Sequence, residues 1–393
     1  MATPFIYMDY NATTPLREEV KTLMVEALDI YANASSMHES GRRARAEIEK
    51  ARSSVAALIG APDPRTLYFT SGGSESNNTV FMTMYDLGRK GGRKKIITTS
   101  IEHPCVMKAA AYLAEEGFPV VYLPVDEFGK IDMEAYKREL DSNTLLVSVM
   151  AANNEIGTLQ EISEISRLAK AAGAYMHTDA TQAVGKIPLS VEAWGVDYLT
   201  LSCHKIYGPK GIGALYGRKK SPLRPLIRGG HQEDGIRAGT YNNLGILGFG
   251  KAAELALFDL PEFSGRVWAL RSMLRDEILA TIPQVRINGH PSQVLPNTLN
   301  VSFPGAEGEA ILLSLDLEGV QVSTGSACAS GSLEPSHVLM ATGVGPELAH
   351  GSIRFSLGKF TTEEEVRRVA ALLVPIIKRL RRMSTVSPHA AQG

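Results

Sequence analysis

The stretch that decides the fold lies between Leu145 and Ser202, which contains LLVSVM at residues 145–150, YMHT at 175–178 and YLTLS at 198–202. The three apolar runs are short and nearly continuous, which is typical of strands buried on both faces of a parallel sheet. Between the first two runs, apolar residues recur at helical spacing from Ile162 to Ala172. This pattern predicts a strand, a crossover helix and a second strand beside the first.

The same alternation of strand and helix patterns extends in both directions, from about Thr66 to Tyr216. Further strands are predicted at Leu67–Thr70, Ile96–Thr99, Val120–Val125 and Ile212–Tyr216. After about Leu260 the chain changes to longer helical patterns separated by Gly and Pro, which indicates a smaller second domain. We therefore expect an α/β protein with a large, mainly parallel domain formed by residues 16–260. Residues 1–15 and 261–393 are expected to form a smaller α+β domain, whose last helix starts with a capping box of Thr361 and Glu364.

Composition limits the classes of partner. The 393 residues contain 41 Lys and Arg against 42 Asp and Glu, a net charge of -1, so no basic field would gather nucleic acid. The cysteines, Cys105, Cys203 and Cys328, form no CxxC pair, which argues against a disulfide framework or a structural zinc site. Because the sequence shows neither a leader pattern nor a run of about 20 apolar residues, we expect a cytoplasmic protein with no membrane or nucleic-acid partner.

A possible phosphate-binding turn lies at residues 68–78, which read YFTSGGSESNN. The pattern is a strand, a glycine turn and a helix that is predicted to begin near Ser74. Such a junction directs backbone N–H groups and the positive end of a helix dipole at one point, which suits a phosphate. The same turn also occurs in many α/β proteins that bind nothing there, so on its own it predicts little.

Two further motifs place charged side chains at the ends of predicted strands. HTDATQ at residues 177–182 places Asp179 there, and SCHKIYGPKG at 202–211 places Lys205 in a glycine-bounded loop. A lone lysine after a strand is usually a surface charge. In open α/β sheets, however, ligands collect at the carboxyl ends of the strands. A phosphate turn, a carboxylate and a lysine in this order predict a pyridoxal phosphate (PLP) site, in which the lysine bonds covalently to the cofactor.

The segment VSTGSACASGS, residues 322–332, surrounds Cys328 with small residues. Structural cysteines usually lie among bulky apolar neighbours, so this composition predicts an exposed, reactive thiol. Cys203 is interpreted as a small apolar residue in a buried strand. Cys105, after Pro104, is interpreted as a structural residue at the start of a helix.

Three more segments give the chain a family resemblance: YMDYNATTP at residues 7–15, ANNEIG at 152–157 and GSIRFS at 351–356. With the serine, lysine and cysteine motifs in the same order, the chain resembles the NifS/IscS-type cysteine desulfurases of the class V aminotransferase group, and more closely the NifS branch. The resemblance implies the PLP-dependent transferase architecture called fold type I. It also implies a homodimer with its active sites near the subunit interface.

The resemblance assigns roles around the cofactor. Lys205 resembles the lysine that forms the imine with PLP, and Asp179 the partner of the pyridine nitrogen. His103 would stack on the ring and shuttle protons. The other cofactor-binding residues implied are Asn154 and Gln182 near the phenolic oxygen, Gly73, Ser74, Ser202 and His204 around the phosphate, and Thr240 from the partner subunit.

The resemblance also implies a substrate and a reaction. Arg354 would clamp the α-carboxylate of L-cysteine, assisted by Asn11 and Asn154. Cys328 would take the sulfur as a persulfide while L-alanine is released, and the sulfur would then pass to an acceptor, for which an iron–sulfur scaffold protein is the expectation. Cys328 could also ligate a nascent cluster transiently, and no other metal is expected.

Alternative functions stay open from the sequence. Within PLP enzymes these are a selenocysteine lyase or another class V enzyme such as an aminotransferase, although an aminotransferase would not need Cys328. Outside catalysis, the chain could be an inactive sulfur carrier or scaffold. That alternative is disfavoured by the simultaneous presence of five residues: Lys205, Asp179, His103, Arg354 and Cys328.

Overall fold

The structure is a computed structural model that describes residues 5–324 and 334–384. The strands are β1 (Ile6–Tyr7), β2 (Leu67–Thr70), β3 (Lys95–Thr99), β4 (Val120–Leu123), β5 (Thr144–Ser148), β6 (Tyr175–Asp179), β7 (Tyr198–Ser202), β8 (Gly213–Gly217), β9 (Arg286–Asn288), β10 (Thr298–Ser302), β11 (Val320–Gln321), β12 (Ser323–Thr324) and β13 (Ser352–Ser356). The α-helices are α1 (Glu18–Glu26), α2 (Glu39–Leu58), α3 (Gly73–Arg89), α4 (Pro104–Glu115), α5 (Met133–Glu139), α6 (Ile162–Ala171), α7 (Val191–Trp194), α8 (Asn243–Thr281), α9 (Gly308–Leu317), α10 (His337–Ala341), α11 (Pro346–His350) and α12 (Glu363–Met383).

The large sheet confirms the predicted mainly parallel α/β fold. Its seven strands have the order β2-β8-β7-β6-β5-β3-β4. The pairs from β7 to β4 are parallel, whereas β8 is antiparallel to both of its neighbours. Every predicted strand is present within two residues of its predicted bounds, and α6 is the predicted crossover helix. Because parallel strands end at the same edge of a sheet, the segments after β5, β6 and β7 meet there.

A second, smaller sheet has the order β12-β13-β10-β9, with antiparallel pairing throughout. Beside it, β1 pairs in parallel with β11, so that Ile6 lies opposite Val320. The chain's first strand is therefore held by a segment more than 300 residues later in the sequence. From β1 the chain passes directly to the edge of the large sheet, where Asn11 and Ala12 line the cavity described below.

The buried apolar side chains form separate cores. The largest one is built on the large sheet and includes Phe249 and Ala256 of α8. A second one packs around the smaller sheet and includes Phe263 and Leu274 of the same helix. The change of core occurs near Pro261, which lies inside α8. The division at residues 260 and 261 would thus fall within one continuous helix, and it stays a prediction.

Two local predictions were wrong. The capping box of α12 is formed by Thr362 and Glu365, not by Thr361 and Glu364. Thr361 is engaged elsewhere, because its Oγ1 accepts a hydrogen bond of 2.9 Å from the backbone N–H of Gly358. Cys203 is fully buried as expected, but it lies in a short 3-10 helix after β7 rather than in the strand.

Candidate active site

A cavity of about 370 Å³ lies at the carboxyl ends of the parallel strands. Eleven of the predicted site residues line it: Asn11, Gly73, Ser74, His103, Asn154, Asp179, Gln182, Ser202, His204, Lys205 and Arg354. Thr240 is exposed and lies outside the residues that line this cavity. Cys328 falls outside the described residues. The structure thus brings together side chains that are separated by up to 343 positions in the sequence.

Lys205 reaches the cavity from a short 3-10 helix, Cys203–Lys205, that directly follows β7. Its Nζ donates hydrogen bonds to the backbone carbonyl oxygens of Asn11, at 2.6 Å, and Ala12, at 2.7 Å. Both acceptors belong to the segment after β1. The amine is therefore held in place by the chain's N-terminal segment.

Asp179 is the last residue of β6, and its carboxylate is held by two donors. The backbone N–H of Thr181 donates to Oδ1 at 2.9 Å, and Asn77 Nδ2 donates to Oδ2 at 2.7 Å. The side chain is largely buried. These bonds fix the orientation of a negative charge in the floor of the cavity.

His103 is the N-cap residue of α4. Its Nδ1 accepts a hydrogen bond of 3.2 Å from the backbone N–H of Cys105, and Cys105 Sγ lies 3.0 Å from the same nitrogen. Since a backbone N–H can only donate, Nδ1 is the acceptor and the neutral ring carries its hydrogen on Nε2. Burial lowers the pKa of His103 against an opposing contribution from Asp179, and the positive charge of Lys205 lowers it further, which favours this neutral ring.

The predicted phosphate turn leads into α3. The N-cap residue Gly72 supplies no side chain to cap the helix. A Cβ on Gly73 would approach Thr181 Oγ1 to 3.2 Å, so a side chain there would occupy space beside the predicted phosphate turn. Burial lowers the pKa of His204 to about 4, with contributions from Lys205 and other lysines, so its imidazole is neutral near pH 7. The turn thus offers helix N–H groups, hydroxyls and an imidazole to an anion.

Arg354 lies in the middle of β13, almost fully buried. Its Nη1 donates to the backbone carbonyl of Asn154 at 3.0 Å, and its Nη2 pairs with Asp9 Oδ1 at 2.8 Å. Its Nε is buried without a hydrogen-bond partner among the described residues. A guanidinium has five N–H donors, so the geometry leaves donors that a carboxylate could use.

The turn that carries Asn154 is built by its neighbours. Asn153 Oδ1 accepts from the backbone N–H groups of Glu155, at 2.8 Å, and Ile156, at 3.0 Å. Gly157 closes the turn with a φ of +76°, and a Cβ there would meet Thr298 Cβ at 2.8 Å. The motif therefore requires glycine at this position, and it sets the backbone carbonyl of Asn154 against Arg354.

The amide of Asn11 is fully engaged by the protein. Its Nδ2 donates to the backbone carbonyl of Asn154 and to Thr298 Oγ1, while its Oδ1 accepts from Lys186 Nζ and from Asn297 Nδ2. These contacts connect β1, the 153–157 turn and the start of β10. The assignment of Asn11 to substrate binding stays a prediction, since the contacts describe a connecting role.

Sequence reasoning missed several lining residues: Ala12, Asn77, Cys105, Met150, Ala152 and Thr181. Asn77 could have been found, because it lies three residues after Ser74 and four after Gly73 on the same face of α3. Cys105 was interpreted as structural. Burial raises its pKa to about 11, which keeps the thiol protonated even though it lines the cavity.

The residues present fit PLP. An amine, a carboxylate and the start of a helix are the groups that the aldehyde, the pyridine nitrogen and the phosphate need, and all three border one cavity. Thr181 Oγ1 and Asn77 Oδ1 are buried there without a hydrogen-bond partner among the described residues. Buried polar atoms normally have partners, so these two indicate that a polar ligand belongs in the cavity.

Two features are absent from the described part of the chain. Within residues 5–324 and 334–384, no helix is both long enough and apolar enough to cross a bilayer. Over the same residues, His, Cys, Asp and Glu side chains form no group of three or more that could hold a metal ion.

Comparison with known proteins shows the family of the chain. The family model described as aminotransferase class V matches residues 6–369. Cysteine desulfurase IscS of Dictyoglomus turgidum is 50% identical over 98% of this chain and 96% of its own. Cysteine desulfurase NifS of Azotobacter vinelandii is 46% identical over 96% and 94% of the two chains. A solved structure titled NifS-like protein is 40% identical, with a TM-score of 0.88 over 96% of this chain and 99% of its own.

Proposed function

The chain belongs to the aminotransferase class-V family, and we propose that within this family it is a PLP-dependent cysteine desulfurase. The enzyme removes sulfur from L-cysteine and releases L-alanine. The observation that carries the proposal is a single cavity that joins Lys205, Asp179 and the phosphate turn, which suit PLP, to Arg354, which suits an α-carboxylate.

We propose that Lys205, Asp179, His103 and the turn at Gly73 and Ser74 hold the cofactor, together with Gln182, Ser202 and His204. PLP, when bound, supplies an electron sink for bonds at the α-carbon of an amino acid. Asp179 keeps a negative charge fixed by two N–H donors, which favours a proton on a neighbouring ring nitrogen. His103 offers a neutral imidazole face with its hydrogen on Nε2.

The substrate is oriented by Arg354. Its unused N–H donors can bind a carboxylate in two parallel hydrogen bonds, and the contact with Asn154 fixes the plane of the guanidinium. Lys205 Nζ, between the carbonyl oxygens of Asn11 and Ala12, can accept a proton and return it. Arg354 is almost fully buried, which strengthens its electrostatic interactions.

Cys328 is the proposed sulfur acceptor. It lies outside the described residues, but the chain on either side of it is attached to the site. Upstream, Ser323 of β12 lies opposite Arg354 of β13. Downstream, Ser336 Oγ donates to Glu155 Oε2 at 2.5 Å, next to Asn154. These two attachments support the proposal that the thiol reaches the substrate.

The proposed assembly is a cytoplasmic homodimer in which Thr240 reaches the phosphate of the partner's cofactor. Thr240 is exposed, which suits a contact across an interface. The loop before it is held firmly, because Glu233 forms a buried ion pair with Arg52 at 2.7 Å and Arg237 pairs with Glu75 of α3. The proposed sulfur acceptor is an iron–sulfur scaffold protein.

The test of the proposed function measures sulfide and alanine produced from cysteine in the presence of a thiol reductant. The purified protein should show the visible absorption of bound PLP, and Lys205→Ala should abolish it. Cys328→Ala should retain that absorption and lose sulfide release. Full sulfide release by Cys328→Ala would refute the sulfur-acceptor role. A protein that stays colourless with excess PLP would favour a carrier or scaffold over an enzyme.

A further inference from the structure

Lys186 is a buried lysine beside the cavity that the proposed reaction does not use. Only 4% of its surface is exposed. Its Nζ donates to Gln182 Oε1 at 2.7 Å and to Asn11 Oδ1 at 3.0 Å, and it makes no ion pair with another described residue. A charged lysine buried against two neutral amides would carry a large desolvation cost, which a neutral amine avoids.

The charge state of Lys186 fits its two contacts. Burial holds the pKa of Lys186 well below its ordinary value, and the positive charges of Lys205 and Arg354 act in the same direction. A neutral amine has two N–H groups, and the structure provides two amide oxygens to accept them. The backbone of Lys186 is also fixed, since Ser264 Oγ donates to its carbonyl oxygen at 2.8 Å.

Two contacts, one of them with Lys186, set which way the amide of Gln182 faces. Gln182 Oε1 accepts from Lys186, and Gln182 Nε2 donates to the backbone carbonyl of Asn11 at 2.9 Å. Exchanging the oxygen and nitrogen would set Oε1 against the Asn11 carbonyl and remove the acceptor from Lys186. The observed orientation therefore matches both partners, and it leaves the second N–H of Nε2 unassigned by these contacts.

We propose that Lys186 is a positioning residue, which fixes Gln182 so that its amide offers an N–H, not an oxygen, to the cofactor. The atom that receives this N–H must be an acceptor. The phosphate of PLP is assigned to the turn of Gly73 and Ser74 and the pyridine nitrogen to Asp179, and the family resemblance implies the phenolic oxygen as the acceptor for Gln182. This inference rests on the proposed assignment of the cavity to PLP.

The test is a double-mutant cycle on cofactor affinity, measured by titrating the apoenzyme with PLP and following visible absorption. Lys186→Met removes the donor, and Gln182→Leu removes the amide. Each should weaken PLP binding by about tenfold, the effect of losing a hydrogen bond worth about 1.4 kcal/mol. The double variant should bind no more weakly than Gln182→Leu alone, because Lys186 acts through Gln182.

The matched control is Lys50→Met, at an exposed position of α2, which should leave the affinity unchanged. A double variant weakened by about 100-fold would mean that the two residues act independently, and it would overturn the proposal. So would wild-type affinity in Lys186→Met. If circular dichroism shows that Lys186→Met is unfolded, Lys186→Leu enters the same cycle. Because the readout is PLP binding alone, the result does not depend on whether cysteine is the substrate.

Discussion

Arg354 is almost fully buried, and its guanidinium donates to Asn154 and Asp9. Lys at this position would keep the positive charge but lose the planar pair of donors. We expect Arg354→Lys to raise the KM for cysteine by about 10- to 100-fold, the range for losing one charged hydrogen bond, with a smaller effect on kcat. Steady-state kinetics with cysteine would measure the change.

The visible absorption of Arg354→Lys should match that of the wild type, because Arg354 is assigned to the substrate. The control is Arg367→Lys, at a half-exposed site of α12 that pairs with Glu363. An unchanged KM in Arg354→Lys, or a loss of bound cofactor equal to the loss of activity, would contradict the assignment.

Glu102 is fully buried and should limit stability at alkaline pH. Burial raises its pKa to about 8, and the charge of Asp179 contributes. Between the ordinary pKa of 4.5 and 8, the folded protein therefore binds more protons than the unfolded chain, so stability falls as pH rises. Glu102→Gln should remove this loss, of roughly 2 to 3 kcal/mol between pH 6 and 8.

Urea unfolding of the apoenzyme at pH 6 and pH 8 would measure the effect. Glutamine can accept the hydrogen bonds that Glu102 Oε1 receives from Thr99 Oγ1 and the backbone N–H of Met150. Glu115→Gln, at an exposed site, should retain the wild-type pH dependence. If the free energy of unfolding falls equally between pH 6 and pH 8 in Glu102→Gln and in the wild type, Glu102 is not the group responsible.

Some residues of the candidate site could be predicted from the sequence, whereas others could not. Lys205 and Asp179 were found because each follows an apolar strand at a known edge of a parallel sheet. Asn77 was missed although its spacing on α3 offered a signal, whereas nothing in the sequence around Lys186 marks it as a site residue. Their partners in the site, Asp179 for Asn77 and Asn11 for Lys186, are distant in the sequence.

Among the secondary-structure elements, α12 begins after two neighbouring threonines, of which only Thr362 forms the capping box. Thr362 Oγ1 accepts from the backbone N–H of Glu365 at 3.2 Å, and Glu365 Oε2 accepts from the backbone N–H of Thr362 at 2.8 Å. We expect Thr362→Ala to lower the free energy of unfolding by about 1 kcal/mol. Urea denaturation would measure it.

The comparison of two adjacent glutamates tests the register of this cap. Glu365→Ala should be destabilising, whereas Glu364→Ala should change stability by less than about 0.5 kcal/mol. If Glu364→Ala were the more destabilising of the two variants, the capping box would be formed by Thr361 and Glu364, as the sequence alone predicts.

Elements differ in how well the sequence predicts them. The strands of the large sheet were predicted closely, because burial on both faces leaves a continuous apolar run. The predicted capping box of α12 was wrong by one residue, because Thr361 and Thr362 are each followed by a Glu three positions later. The choice depends on the Gly358–Thr361 turn, which engages Thr361. Neither β1 nor β11 was predicted, since each has two residues and depends on its distant partner.

Across the whole molecule, α8 joins the two main cores, because its first half packs in one and its second half in the other. The two tryptophans lie on different sides of this division, because Trp194 packs against the core of the large sheet and Trp268 lies on the second half of α8. We expect Trp194→Phe and Trp268→Phe to show coincident urea unfolding curves by fluorescence, because one helix couples the cores. Clearly separated midpoints would mean that the proposed domains unfold independently.

The pairing of the first strand has a consequence for synthesis. Residues 6–12 are synthesised long before β11 and Arg354, which hold Ile6 and Asp9. Until then, this segment has only its contacts with the large domain, such as the hydrogen bond from Gln182 Nε2 to the backbone carbonyl of Asn11. A nascent chain that has completed the large sheet should therefore hold its first strand less firmly than the finished protein does. Pairing of that strand then marks completion of the polypeptide.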